Sequence, residues 1–460
     1  MTAVLQARTI DPPGPRGLPL TGVAFQFRRD PLRFLLKTVE EYGDVVQLPM
    51  LKLPLTPLEP QHRLYIVNHP ALVRQICMTN RTKYRTHSQL VNKLKLVLNL
   101  GEGELLTSVG DEWVQRKASL QPAFSGADIF VGKVAHSVFA MIERWSALPE
   151  KAAIDLEDEL TNLVTNIFAS VFLSLDLDGE DRALAPHWRG MLNGFSRRMA
   201  TPFRFLLAAP TRANRDFETA RNLIEQRLHW AISEHCQCPH RFNDVLSSWL
   251  EASEVRCAGP LSEKSIRDQV MLLLLAGRKN VSNALAWACY LLARHPEIAE
   301  RVSDETADPE NHAKRSPWLA AVQKEVLRLY PTAWLIARFC LEDDEVGGFR
   351  IPQGATVFMS PYAIHRHPDF WRDPERFDPC RFVTSKSPIT PDMYLPFGVG
   401  ARTCIGNSLT ELIMRIAIGM IFAHFRIELR TAGEVRIKAS SSLYPDGGMS
   451  AAVHKRKKLQ

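Results

Sequence analysis

Residues 395–425 read "LPFGVGARTCIGNSLTELIMRIAIGMIFAHF". The first half is a loop punctuated by glycine. The second half carries apolar residues at helical spacing, which predicts a helix from near Cys404 to near Phe425. Phe397, Gly398, Gly400, Arg402, Cys404 and Gly406 spell F-G-x-G-x-R-x-C-x-G. Glycines on both sides of a cysteine let the backbone fold closely about the sulfur and let a flat ligand approach. Backbone N–H groups at a helix N-terminus stabilise negative charge and favour the thiolate. Arg402 adds a cation suited to a carboxylate close by. A lone cysteine ahead of a helix is usually packing, but here the whole loop is built around it.

A thiolate in such a loop can ligate heme iron and push electron density toward O–O cleavage. The loop resembles the heme-binding signature of the cytochrome P450 superfamily, and the resemblance covers nearly the whole chain in the expected order. "KEVLRLYP" resembles the family's E-x-x-R helix, with Glu325 and Arg328 on one face, where an arginine and a carboxylate can satisfy each other. "PERFDPCRF" supplies Arg376, which by resemblance completes a Glu-Arg-Arg cluster. "GDEWVQRKASLQPAF" resembles the helix whose Trp and a basic residue four positions on hold a heme propionate. That maps to Trp113 and Lys117, with Arg116 as a substitute. Arg338, in "TAWLIARFC", falls where the family places another propionate ligand. The resemblance implies a mainly α protein with minor β (α+β) and a single-domain cytochrome P450 fold, its long central helix over the heme. It implies heme b (iron protoporphyrin IX) as cofactor, Cys404 as axial ligand, and Phe397, Gly398, Arg402 and Gly406 around it.

Composition agrees with a large globular enzyme. The chain has 460 residues, 45% hydrophobic and 23% charged, with a net charge of +7. That charge suits an acidic protein partner and is too mild to argue for nucleic acid. There is no apolar run long enough for a transmembrane anchor, and the first residues lack a signal-peptide core. A cytoplasmic monomer with reduced cysteines is expected. One domain is expected over residues 1–460, with a flexible N-terminus at 1–11 and a basic tail at 455–460. Strands are expected in "DVVQLPM" and "RLYIVNHP", helical periodicity from about Pro70 to Tyr330, and strands with ordered coil after Pro331. "EHCQCPHRF" gathers His235, Cys236, Cys238 and His240, but the C-x-C spacing is atypical of zinc and reads as a loop after a helix.

The central helix departs from the family. "LLLLAGRKNVSNALAWACYLL", residues 272–292, keeps the small Ala276 and Gly277 that leave room for oxygen and substrate. The acid position then holds Lys279 and the alcohol position Asn280. In the family that acid–alcohol pair helps bring protons to dioxygen, so that the O–O bond breaks heterolytically. Asn280 can hold a water but cannot ionise. Four readings follow. Lys279 points to solvent or an internal acid, and Asn280 serves an ordinary monooxygenase. Lys279 faces the pocket and pairs with a substrate carboxylate, as in the family's peroxide-using members. The chemistry is radical coupling, desaturation or rearrangement. Or the protein is a non-catalytic helper, against which the intact cysteine loop argues. Past the cysteine, Leu409, Thr410 and Ile413 replace the family's usual residues and Glu411 is displaced, which predicts altered proximal packing.

By family position the pocket draws on Leu90, Leu94, Leu98, Trp334, Leu335 and Leu443, an apolar set suited to an apolar small molecule. No flavin or nicotinamide segment is present in the sequence, so electrons are expected from a ferredoxin or flavodoxin with its reductase.

Overall fold

A computed structural model describes residues 11–18, 22–49, 63–86, 95–97, 104–179, 181–201, 204–252, 263–306, 316–383, 389–430 and 433–456. The chain divides into two compact units. The first comprises Met1–Gln89, Leu327–Cys404 and Ala439–Leu443, and the second Leu90–Val326, Ile405–Lys438 and Tyr444–Gln460.

The first unit is built on a five-stranded sheet of β1 (Val45–Leu48), β2 (Leu64–Val67), β3 (Tyr84–Thr86), β5 (Ile336–Cys340) and β8 (Thr356–Met359), in the order β1-β2-β8-β5-β3. Both expected N-terminal strands are present and pair antiparallel, Val45 opposite Val67. β2 and β8 run parallel, and β8 meets β5 antiparallel with Ile336 opposite Met359. Their β-branched and aromatic residues fit a pleated surface buried on its core side. Tyr65, Val67, Cys340, Val357 and Met359 form that core, and Leu395 and Val399 from the cysteine loop pack into it.

The second unit is mainly helical. Its principal helices are α1 (Gly110–Ser125), α2 (Val131–Ser146), α3 (Leu156–Leu173), α4 (Arg212–Gln237), α5 (Glu263–Arg294) and, after α6 (Pro317–Leu329) at the unit boundary, α7 (Asn407–His424). A small sheet sets β12 (Ser450–Lys455) between β4 (Ala153–Asp155) and β9 (Phe425–Leu429). α5 is the expected long central helix, 32 residues in all. Every residue from Val281 to Leu292 is buried, so this half runs through the core and needs no polar face.

Mainly α with minor β is therefore the observed class. Two details differ from the sequence reading. β3 and β4 interrupt the stretch read as helical; each is three residues long, too short to show a period. The last helix begins at Asn407 rather than at Cys404, with Gly406 as its N-cap.

Gly277 sits where α5 passes closest to α3. A Cβ there would lie 2.6 Å from Cε1 of Phe168. That ring is itself stacked on Phe172 at 5.2 Å and has little room to move. Its small size thus serves helix packing. Gly277→Val is expected to cost about 1–3 kcal/mol by overpacking, with part recovered by Phe168→Leu, as read by urea denaturation.

Candidate functional site

The cysteine loop is positioned from α6. Glu325 and Arg328 lie one turn apart on this helix, both fully buried. Arg328 spends its guanidinium on main-chain oxygens: Nη1 donates to the carbonyls of His365 (2.9 Å) and Pro374 (2.7 Å), and Nη2 to that of Arg376 (3.1 Å). Arg376 is itself exposed, and in this contact it contributes its backbone. His365 closes the link. Its Nδ1 donates to the carbonyl of Arg328 (3.1 Å), and its Nε2 accepts from the N–H of Leu395 at 2.7 Å. The ring is therefore neutral in one tautomer, and burial pushes its pKa down to about 3. Nothing in the sequence pattern singled out His365.

From Leu395 the chain folds back on itself. The Gly398 N–H donates to the carbonyl of Leu395, and the Cys404 N–H to that of Phe397 at 2.9 Å. Gly398 and Gly400 have φ of 76° and 74°, in the left-handed region. A Cβ on Gly400 would lie 2.4 Å from the Cys77 carbonyl oxygen, so only glycine fits. Cys404 is exposed at the end of this turn, unlike the buried Cys77, Cys289 and Cys340. Arg338 and Arg402 supply positive charge in the same unit. Burial, and then repulsion from Arg338, push the Arg402 guanidinium down to about 10. Two neighbouring cations and an open thiol are the donor set that an iron porphyrin with two propionates requires. The residues fit the group.

In the second unit, α5 opens midway along its length. Leu273 and Asn280 are partly open and Ala276 is exposed. At 3.6 residues per turn these three lie within roughly 60° of one another. Lys279 does not lead into this stripe. Its Nζ donates to Glu157 Oε1 at 3.2 Å and sits 4.9 Å from the centre of the Tyr444 ring. Glu157 opens α3, a partner 122 residues away that no local pattern could reveal. Asn280 Nδ2 donates back to the carbonyl of Ala276 at 3.0 Å. Arg278 points the other way and is buried, with Nη1 donating to Thr165 Oγ1 at 3.2 Å.

On α1, Lys117 Nζ lies 5.4 Å from the centre of the Trp113 ring, as i, i+4 neighbours should. Arg116 turns toward Ser265 Oγ at 3.3 Å, so Lys117 is the basic residue that shares the tryptophan's face. Among the apolar candidates, Leu335 is half-open. Trp334 and Leu443 are core residues at 7% and 0% exposure, the indole donating to the Ser440 carbonyl at 2.7 Å. Leu90, Leu94 and Leu98 lie outside the described residues. Leu409 and Ile413 are buried, consistent with a packing role on α7.

His235 is fully buried, its Nε2 2.8 Å from Asp244 Oδ2, and no cluster suited to a metal ion occurs among the described residues. Cys236 is disulfide-bonded, which corrects the expectation of reduced cysteines throughout. No helix among the described residues is long and apolar enough to cross a membrane.

The cytochrome P450 family model matches residues 12–449. Cyclooctatin synthase of Streptomyces melanosporofaciens is 32% identical, over 93% of this chain and 92% of that protein. Cyclooctat-9-en-7-ol 5-monooxygenase of the same species is 29% identical over 90% and 88%. Pentalenene oxygenase of Streptomyces avermitilis is 28% identical over 94% of each. In fold, the chain is similar to a retinoic acid-bound cyanobacterial CYP120A1, with a TM-score of 0.81 at 24% identity, over 98% of this chain and 100% of that one. The chain belongs to the cytochrome P450 family. It is a heme-dependent monooxygenase, acting on a small molecule with electrons from redox partners.

His365 makes an acid-stability prediction. Above its ordinary pKa of 6.5 the ring is neutral in both folded and unfolded chains. As pH falls from there toward the folded value of about 3, the unfolded chain takes a proton that the folded chain refuses. Stability is thus complete above pH 6.5 and is lost on acidification. His365→Gln is expected to flatten this loss, as read from urea midpoints at about pH 7 and about pH 5.

Proposed function

We propose that this chain hydroxylates a neutral, apolar terpenoid, with Cys404 as the thiolate that would hold heme iron. The observation that carries the reading is the engagement of Lys279 by Glu157 and the Tyr444 ring. A lysine already paired with an internal acid is not available to anchor a substrate carboxylate, so the peroxide-using reading loses its main support. The three Streptomyces relatives, named for oxidations of cyclooctatin-type and pentalenene substrates, favour the same substrate class.

Bound heme supplies the activation of dioxygen and the insertion of one oxygen atom. The chain's own residues do the rest. Arg338 and Arg402 would hold propionate by charge-assisted hydrogen bonds, a role that the family resemblance also gives to Lys117 beside Trp113. Phe397, Gly398 and Gly406 shape the turn around the sulfur. Ala276 keeps the stripe on α5 low enough for substrate and oxygen. Asn280, with its amide N–H tied to Ala276, presents Oδ1 as acceptor to a water that carries protons. Leu335, half-open, would supply apolar contact. Residues 1–460 work as one catalytic domain, a cytoplasmic monomer reduced by an acidic ferredoxin or flavodoxin that the net positive charge steers toward it.

Absorbance titration of the ferric enzyme, with ligands matched as acid and as neutral alcohol, tests the reading. Neutral ligands are expected to bind at least as well as acids, and Lys279→Met to change their affinity less than about threefold. Acid-only binding abolished in Lys279→Met would reverse the conclusion. Lys279 and Glu157 are partly exposed, with side chains 32% and 20% accessible. A double-mutant cycle with Lys279→Met and Glu157→Gln is expected to give a coupling of about 0.5–1 kcal/mol in stability.

A further inference from the structure

Among the described residues, Arg278 is a buried cation without a counter-charge. It is only 4% exposed, between α5 and α3. Among those residues its one hydrogen bond is from Nη1 to Thr165 Oγ1 at 3.2 Å, and its Nε is buried with no acceptor. Thr165 is a neutral partner, because its own hydroxyl hydrogen goes to the Thr161 carbonyl at 2.7 Å. Glu157, the acid that opens α3, pairs with Lys279. Among the described residues no carboxylate forms an ion pair with Arg278. Burial alone lowers its pKa, to about 10, which leaves the guanidinium fully charged at neutral pH. An ionised group taken out of water without compensation is costly, and arginine cannot escape the cost by losing its proton.

We infer that Arg278 binds a small monovalent anion of halide size between α5 and α3, held by Nε and the free guanidinium hydrogens, while Thr165 Oγ1 accepts from Nη1 and fixes the orientation of the guanidinium. At 4% exposure the guanidinium is closed to a metabolite, which leaves a monatomic ion as the ligand of matching size. The ion neutralises the charge on the side of α5 away from the open stripe of Leu273, Ala276 and Asn280. This inference rests on the packing of α5 on α3 and stands whatever the substrate.

Thermal unfolding of the heme-loaded, full-length enzyme tests it, in potassium gluconate replaced stepwise by potassium chloride at constant ionic strength. Gluconate is a polyhydroxy carboxylate many times the size of chloride. Chloride is expected to raise the midpoint of the wild-type enzyme in a saturable way. At about 100 times its Kd the ion shifts the unfolding constant about 100-fold. Arg278→Met is expected to give the same midpoint in both salts, and Thr165→Val to need more chloride for the same gain. Equal midpoints of the wild type in both salts would overturn the inference, as would an undiminished chloride response in Arg278→Met. If Arg278→Met does not fold, Thr165→Val and a crystal grown in bromide decide: an anomalous peak beside Nε supports the site, and its absence removes it.

Discussion

A single guanidinium holds the first unit in register. Arg328 is fully buried, and it donates to the carbonyls of His365, Pro374 and Arg376. Those carbonyls belong to irregular chain that has no ladder or helix in which to satisfy them, and a buried backbone group left unpaired is costly. A planar fork with five donors is well matched to such a need, because it can serve several carbonyls from one rigid point. His365 extends the contact to the N–H of Leu395, and Leu395 with Val399 is packed into the sheet core. The turn that presents Cys404 is therefore fixed at its base by a polar chain and an apolar one. Its glycines then allow the sharp return that exposes the sulfur.

The central turn of α5 shows how position decides what a charge does. Arg278, Lys279 and Asn280 are consecutive, so a helix sends them in three directions about 100° apart. Arg278 enters the seam with α3, where Gly277 has brought the helices close enough to meet the Phe168 ring. Lys279 reaches the acid at the start of α3 and the face of Tyr444. Asn280 folds back on its own helix, and with Ala276 leaves the neighbouring stripe polar at one point and small at the other. What looks in the sequence like one polar block in a buried helix is three side chains with three different sets of neighbours.

Some of the site was legible before any coordinate. The cysteine loop, the E-x-x-R pair and the Trp113–Lys117 spacing are local patterns. Their chemistry depends on residue type and separation along one element, and the structure places each on the expected element. Arg116 and Lys117 differ in the direction in which α1 turns them, Arg116 toward Ser265 and Lys117 over the Trp113 ring. Trp334 and Leu443 were expected in the pocket by family position, and the structure buries them at 7% and 0% exposure. β3 and β4 were missed because three residues carry no period, and their strand state comes from partners elsewhere in the chain.

By itself, then, the sequence determined the family, the heme and the mainly helical class, because the motifs that carry the family resemblance are short-range and survive without knowledge of the fold. Only the tertiary structure decided where the unusual charges of α5 go. Glu157 lies 122 residues from Lys279, and Thr165 lies 113 residues from Arg278. His365 likewise acts across 30 residues to Leu395. A buried charge or ring nitrogen is satisfied by whatever group the packed chain brings within about 3 Å. No pattern along the sequence encodes that distance.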